Sequence, residues 1–148
     1  MYETILVPTD GSEVSERAAR EAFDLARELG ASVHVLYVID ESASSFLLTT
    51  DTMAGVLEAA REQGAEATAA AAEFADGVQV ETEVVRGMSV HRAIVDYAEK
   101  TGVDLVVMGT RGRHGVEHLL GSTTQRVLTT AKVPVLVVGE QSDWEQSD

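Results

Sequence analysis

The feature that most constrains the fold of this chain is a repeated switch between two hydrophobic periods. Thr4 to Pro8 is a short apolar run that stops at the turn-forming pair Asp10-Gly11, which predicts a buried strand. From Ser12 to Leu29 the residues Ala18, Ala19, Ala22, Phe23, Leu25, Ala26 and Leu29 recur at helical spacing, with Ser12 as N-cap and Gly30 as stop signal. The pattern then repeats. Strands are expected over Ser32–Ile39, Val78–Val85, Val103–Met108 and Pro134–Val138, and helices over Met53–Ala75, Ser89–Lys100 and Ser122–Ala131, with a polar stretch from Asp40 to Asp51. Strands separated by helices cannot pair as hairpins. They call for right-handed crossovers, hence an α/β fold: one open, doubly wound, five-stranded parallel sheet with helices on both faces. The first, second and fourth strands read as unbroken apolar runs, as strands covered on both sides should. The third alternates Val with Gln, Glu and Thr and is expected to be less covered. Without a linker or internal repeat, residues 1–140 read as one domain, followed by a polar, acidic tail over 141–148.

In an open parallel sheet, ligands bind outside the carboxyl ends of the strands, where the strand order reverses. Residues just after each strand are therefore the ones to examine. After the fourth strand comes Gly109-Thr110-Arg111-Gly112-Arg113-His114-Gly115, and after a bridge from Val116 to Leu120, Gly121-Ser122-Thr123-Thr124 opens a helix. Glycine lets backbone approach a phosphate closely. A helix start presents unbonded N–H groups and the positive end of the helix dipole, and Ser and Thr hydroxyls add donors. The same stretch holds two of the chain's nine arginines. This is the composition of a phosphate cradle.

That cradle stands out against the overall charge. Asp and Glu number 25 against 11 Lys and Arg, a net charge of −14 over 148 residues. Such a surface should repel nucleic acid and anionic membranes, and its self-repulsion weakens the compact state until salt screens it. Abundant carboxylates spread along the chain with only Lys100 and Lys132 resemble proteins of salt-loving organisms. With no cysteine, disulfides and thiolate metal sites are excluded. No apolar run approaches the roughly 20 residues of a membrane helix, and the N-terminal residues read as a strand rather than a signal peptide. The expected compartment is the cytoplasm.

The segments ILVPTDGS, LYVIDE, VVMGTRG and VPVLVV, together with Gly109-x2-Gly112-x8-Gly121-Ser122, resemble the universal stress protein family, whose nucleotide-binding members carry Gly-x2-Gly-x9-Gly-Ser/Thr. The last spacer is one residue shorter here. The resemblance implies a Rossmann-like fold of the adenine nucleotide alpha hydrolase type and an ATP site. In that site Pro8 and Asp10 lie near the nucleoside and Val38 meets adenine through its main chain. Gly109, Thr110, Arg111, Gly112, Arg113, His114 and Gly115 wrap ribose and phosphates, and Gly121, Ser122, Thr123 and Thr124 complete the triphosphate site. It also implies a homodimer paired through the last strand, Val133–Val138.

Asp10 has two readings: it orients a ribose hydroxyl or helps to bind Mg²⁺ through water, or it caps the first helix or shapes the Asp-Gly turn. His114 and His118 have the spacing of a metal pair but lack a third ligand nearby. His34 and His91 have no evident catalytic partner. No Gly-x4-Gly-Lys-Ser/Thr, Gly-x-Ser-x-Gly or placed general base is found. The leading function that the resemblance implies is an ATP-binding regulatory protein whose bound nucleotide sets its conformation or partner choice, with at most slow hydrolysis. The competing one is an ATP-independent dimeric stress protein. An enzyme of the wider nucleotide-binding superfamily would need further signature loops that the chain lacks.

Overall fold

The computed structural model describes residues 2–44, 50–111 and 120–140. Five strands and five helices follow in the order β1 (Thr4–Pro8), α1 (Glu13–Leu29), β2 (Ser32–Asp40), α2 (Glu41–Ser44), α3 (Thr50–Ala72), β3 (Val80–Gly87), α4 (Val90–Thr101), β4 (Leu105–Gly109), α5 (Ser122–Thr130) and β5 (Val135–Val138). All strand pairs are parallel, in the order β3-β2-β1-β4-β5. The order reverses between β1 and β4, so a crevice must open beyond the ends of these two strands.

Period-two alternation divides the core between the two faces of the sheet. Ile5 and Val7 of β1 join Val33 and Val35 of β2 under Ala18, Ala22 and Phe23 of α1 and Ala71 of α3. Leu6, Leu36 and Val106 point the other way, against Ile94 and Ala98 of α4 and Val127 of α5. The expected doubly wound α/β sheet, with helices on both faces, is what forms. Every residue of β4 is buried, whereas β3, at the sheet edge, is largely exposed, as its sequence suggested. β5 forms the opposite edge.

Local signals work as their chemistry requires. The Ser12 side chain accepts from Ser15 N–H to cap α1, and Ser89 accepts likewise from Arg92 to cap α4. Both helices end on a glycine in the left-handed region, Gly30 at φ 69° and Gly102 at φ 71°, where other residues would be strained. Several expected boundaries need correction. The third strand lies at Val80–Gly87, because its register with β2 continues through Ile39↔Arg86 and Asp40↔Gly87. The fourth starts at Leu105, since Val103 N–H still bonds back to the Ala98 carbonyl at the end of α4. Leu29 is exposed rather than part of the helix stripe. The polar stretch after β2 begins with a helical turn, α2, where Asp40 Oδ1 accepts from the Ser42 N–H and hydroxyl.

Candidate functional site

β1 delivers Pro8, Thr9 and Asp10 to the crevice, and α1 begins at once behind them. The junction is held by a knot of short side chains. Thr9 Oγ1 and Ser15 Oγ lie 2.9 Å apart, Ser15 Oγ donates to the Ser12 carbonyl at 2.9 Å, and Gly11 N–H donates to Thr9 Oγ1 at 3.1 Å. Thr9 and Ser15 are buried, so these partners satisfy hydroxyls that water cannot reach. Asp10 Oδ1 accepts from Ser12 N–H at 3.0 Å, an Asx turn. The turn-shaping reading of Asp10 therefore holds, while Ser12 rather than Asp10 caps the helix. Both Asp10 and Ser15 also line the cavity next to them.

β4 ends in the same crevice at Gly109. A Cβ on Gly109 would stand 2.6 Å from Val14 Cγ1 and 3.1 Å from the Val14 carbonyl oxygen. This glycine is thus required by the approach of α1 to β4. Beyond it, the Thr110 carbonyl accepts from Gly121 N–H at 2.6 Å, which brings the start of α5 against the end of β4. Gly121 has no room for a side chain either, since its Cβ would lie 2.9 Å from Arg111 Cα. Thr124, buried, donates from Oγ1 to the Gly109 carbonyl at 2.8 Å and fastens the first turn of α5 to β4.

These contacts leave a cavity of about 570 Å³ at the switch point. Its walls are Pro8 of β1 with Thr9 and Asp10 after it; Ser15 of α1; Leu36, Tyr37, Val38 and Asp40 on β2; Gln63 of α3; Val90 and Ile94 of α4; Met108 and Gly109 of β4 with Arg111 beyond it; and Gly121, Ser122, Thr123 and Thr124 at the start of α5. The helix start differs from those of α1 and α4: no side chain caps α5 among the described residues. The first intrahelical bond runs from Gln125 N–H to the Gly121 carbonyl, so the preceding N–H groups have no acceptor within the helix. They stand where the cavity wall is formed, with the helix dipole adding positive potential. Arg111 brings the one cationic side chain among the described lining residues and pairs with Glu140.

Of the candidates from the sequence, Pro8, Asp10, Val38, Gly109, Arg111, Gly121, Ser122, Thr123 and Thr124 meet in this cavity. Thr110 does not line it; its N–H goes to the Val138 carbonyl and its carbonyl to Gly121. Gly112, Arg113, His114 and Gly115 lie outside the described residues, as does His118. Thr9, Ser15, Tyr37, Asp40, Gln63 and Ile94 line the cavity without having been singled out. The strand ends predicted Thr9 and Asp40 by position, but nothing local marks Gln63, which the packing of α3 brings in. The remaining histidines are elsewhere. His34 lies between Tyr97 Oη, 2.9 Å from Nδ1, and Glu81, 3.2 Å from Nε2. Burial, then Glu83 and Glu81, push the Tyr97 hydroxyl above its usual pKa. His91 Nδ1 lies 2.9 Å from Ser89 Oγ at the start of α4.

The model of the universal stress protein family matches residues 1–139. The chain belongs to that family. It is 41% identical over 141 residues to the universal stress protein MJ0531 of Methanocaldococcus jannaschii, covering 93% of this chain and 82% of the relative. The solved structure of MJ0577, from the same organism, superposes with a TM-score of 0.82 at 30% identity, covering 96% and 99% of the two chains. A universal stress protein solved in complex with cAMP superposes at 0.61 with 27% identity, over 93% and 97% of the chains. Among the described residues of this universal stress protein, no helix is long and apolar enough to cross a membrane, and no His, Asp and Glu side chains cluster as a metal site.

Proposed function

We propose that the switch-point cavity binds ATP and that this universal stress protein works as a nucleotide-dependent regulator of a partner protein. One observation carries the reading: an α-helix start without a side-chain cap opens into a cavity at the point of sheet reversal. A relative solved with cAMP supports an adenine nucleotide as the ligand. Phosphates lie at the N–H groups of Ser122 and Thr123 beside Arg111. The adenine meets the main chain of Val38 between Tyr37 and the apolar wall of Ile94 and Met108. Asp10 faces the ribose, and its carboxylate suits Mg²⁺ held through water.

Protein purified in concentrated KCl, denatured and analysed by chromatography, retains adenine nucleotide in this reading, and Mg-ATP raises the thermal midpoint. Absence of both results would replace it with the ATP-independent alternative. A homodimer through Val133–Val138 is part of the proposal, because β5 is a sheet edge with Leu136 exposed, and unpaired edges recruit partners. Sedimentation in concentrated KCl tests this, and a monomer would refute it. The acidic composition supports a salt-loving cell as the source, and the cytoplasm as the compartment is part of the same proposal.

A further inference from the structure

We infer that Glu140 is a specificity-determining residue of the cavity: it competes with phosphate for Arg111 and so sets how strongly the site favours a phosphorylated ligand. The inference rests on the nucleotide reading above. β4 and β5 pair in parallel with Gly109 opposite Val138. Two residues beyond the end of each strand stand Arg111 and Glu140, so the strand pairing itself delivers the carboxylate to the guanidinium.

The approach is braced from both sides. Thr110 N–H donates to the Val138 carbonyl at 3.1 Å, and Arg17 Nε of α1 donates to the Gly139 carbonyl at 3.2 Å. Arg111 Nε then donates to Glu140 Oε1, with the two side chains only 17% and 20% exposed. At that degree of burial the pair is less screened than a surface ion pair. The geometry has an electrostatic consequence. The described charged residues lining the cavity are Asp10, Asp40 and Arg111, and Glu140 already answers the only cation among them. A phosphate entering beside Arg111 must share that guanidinium or displace Glu140. A nucleoside meets no such competition.

The test is to titrate the full-length parent and Glu140→Gln with Mg-ATP and with adenosine, by calorimetry at one high KCl concentration. Glutamine keeps the size and a hydrogen-bond acceptor while removing the charge, and unchanged thermal midpoints without ligand confirm equal folding. The expected result is ATP binding tightened about threefold to fivefold in the variant, as removal of one partly buried competitor implies, with adenosine affinity unchanged. ATP affinity that stays constant, or moves in step with adenosine, overturns the role of Glu140 and leaves the nucleotide site standing. No binding of either ligand to either protein overturns the nucleotide reading and this inference with it.

Discussion

Gly64 offers a direct test of how closely α3 packs on the sheet. A glycine inside a helix costs up to about 1 kcal/mol relative to alanine, so Gly64→Ala should stabilise if propensity alone decided. The structure predicts the opposite sign. A Cβ at Gly64 would lie 2.7 Å from Tyr37 Cδ1 and 3.0 and 3.1 Å from the two Val84 methyl groups. Tyr37 and Val84 are register partners on β2 and β3, so the added methyl meets two neighbours at once. Overpacking of this kind costs about 1–3 kcal/mol, which exceeds the propensity gain. The net expectation is a loss of about 1–2 kcal/mol, seen as a urea midpoint lower by about 0.5–1 M. Gly55, in the same helix with nothing within 4 Å of its Cβ position, is the control. There the substitution to alanine should stabilise by about 0.5–1 kcal/mol. A midpoint for Gly64→Ala at or above the parent's would refute the close approach of α3 to the Tyr37 wall of the cavity.

Thr124→Val leaves the Gly109 carbonyl without its 2.8 Å hydroxyl donor and should cost about 1–3 kcal/mol in urea unfolding, while Thr124→Ser keeps most of the stability; equal losses would dismiss the bond. Tyr97 has a pKa raised above 10.0, so folding favours its neutral form; that contribution is complete below pH 10 and is lost as pH rises through the folded value. Tyr97→Phe should be about 1 kcal/mol less stable at neutral pH through the lost contact with His34, and the gap should shrink above pH 10; a constant gap would contradict the assignment. With a net charge of −14, stability should rise steeply between about 0.1 M and multimolar KCl, and a flat response in thermal unfolding would remove the salt-dependence argument.

The succession of elements was legible from the sequence because period, caps and glycine stops are local properties of a few consecutive residues. Ser12, Ser89, Gly30 and Gly102 act within one helical turn of where they stand in the chain. The parallel sheet followed too, since helices between strands leave no other economical connection. The polarity of the third strand announced its low coverage, and the sheet order placed it at an edge. Much of the cavity wall was likewise readable, because strand ends carry the ligand positions in such sheets. Chain-distant packing decided the rest. That Gly109 and Gly121 are needed for α1 and α5 to approach β4, rather than only for a ligand, appears when Val14 and Arg111 are seen beside them. Gln63 reaches the cavity only through the docking of α3. Glu140 lies two residues beyond β5, where composition suggested only the edge of a tail. The register Gly109↔Val138 places it against Arg111, and register depends on two strands at once. The sequence by itself determined which segments become strands and helices and which ends of them could hold a phosphate; tertiary structure alone decided which charges meet there, because electrostatic partners are chosen by distance in space and not along the chain.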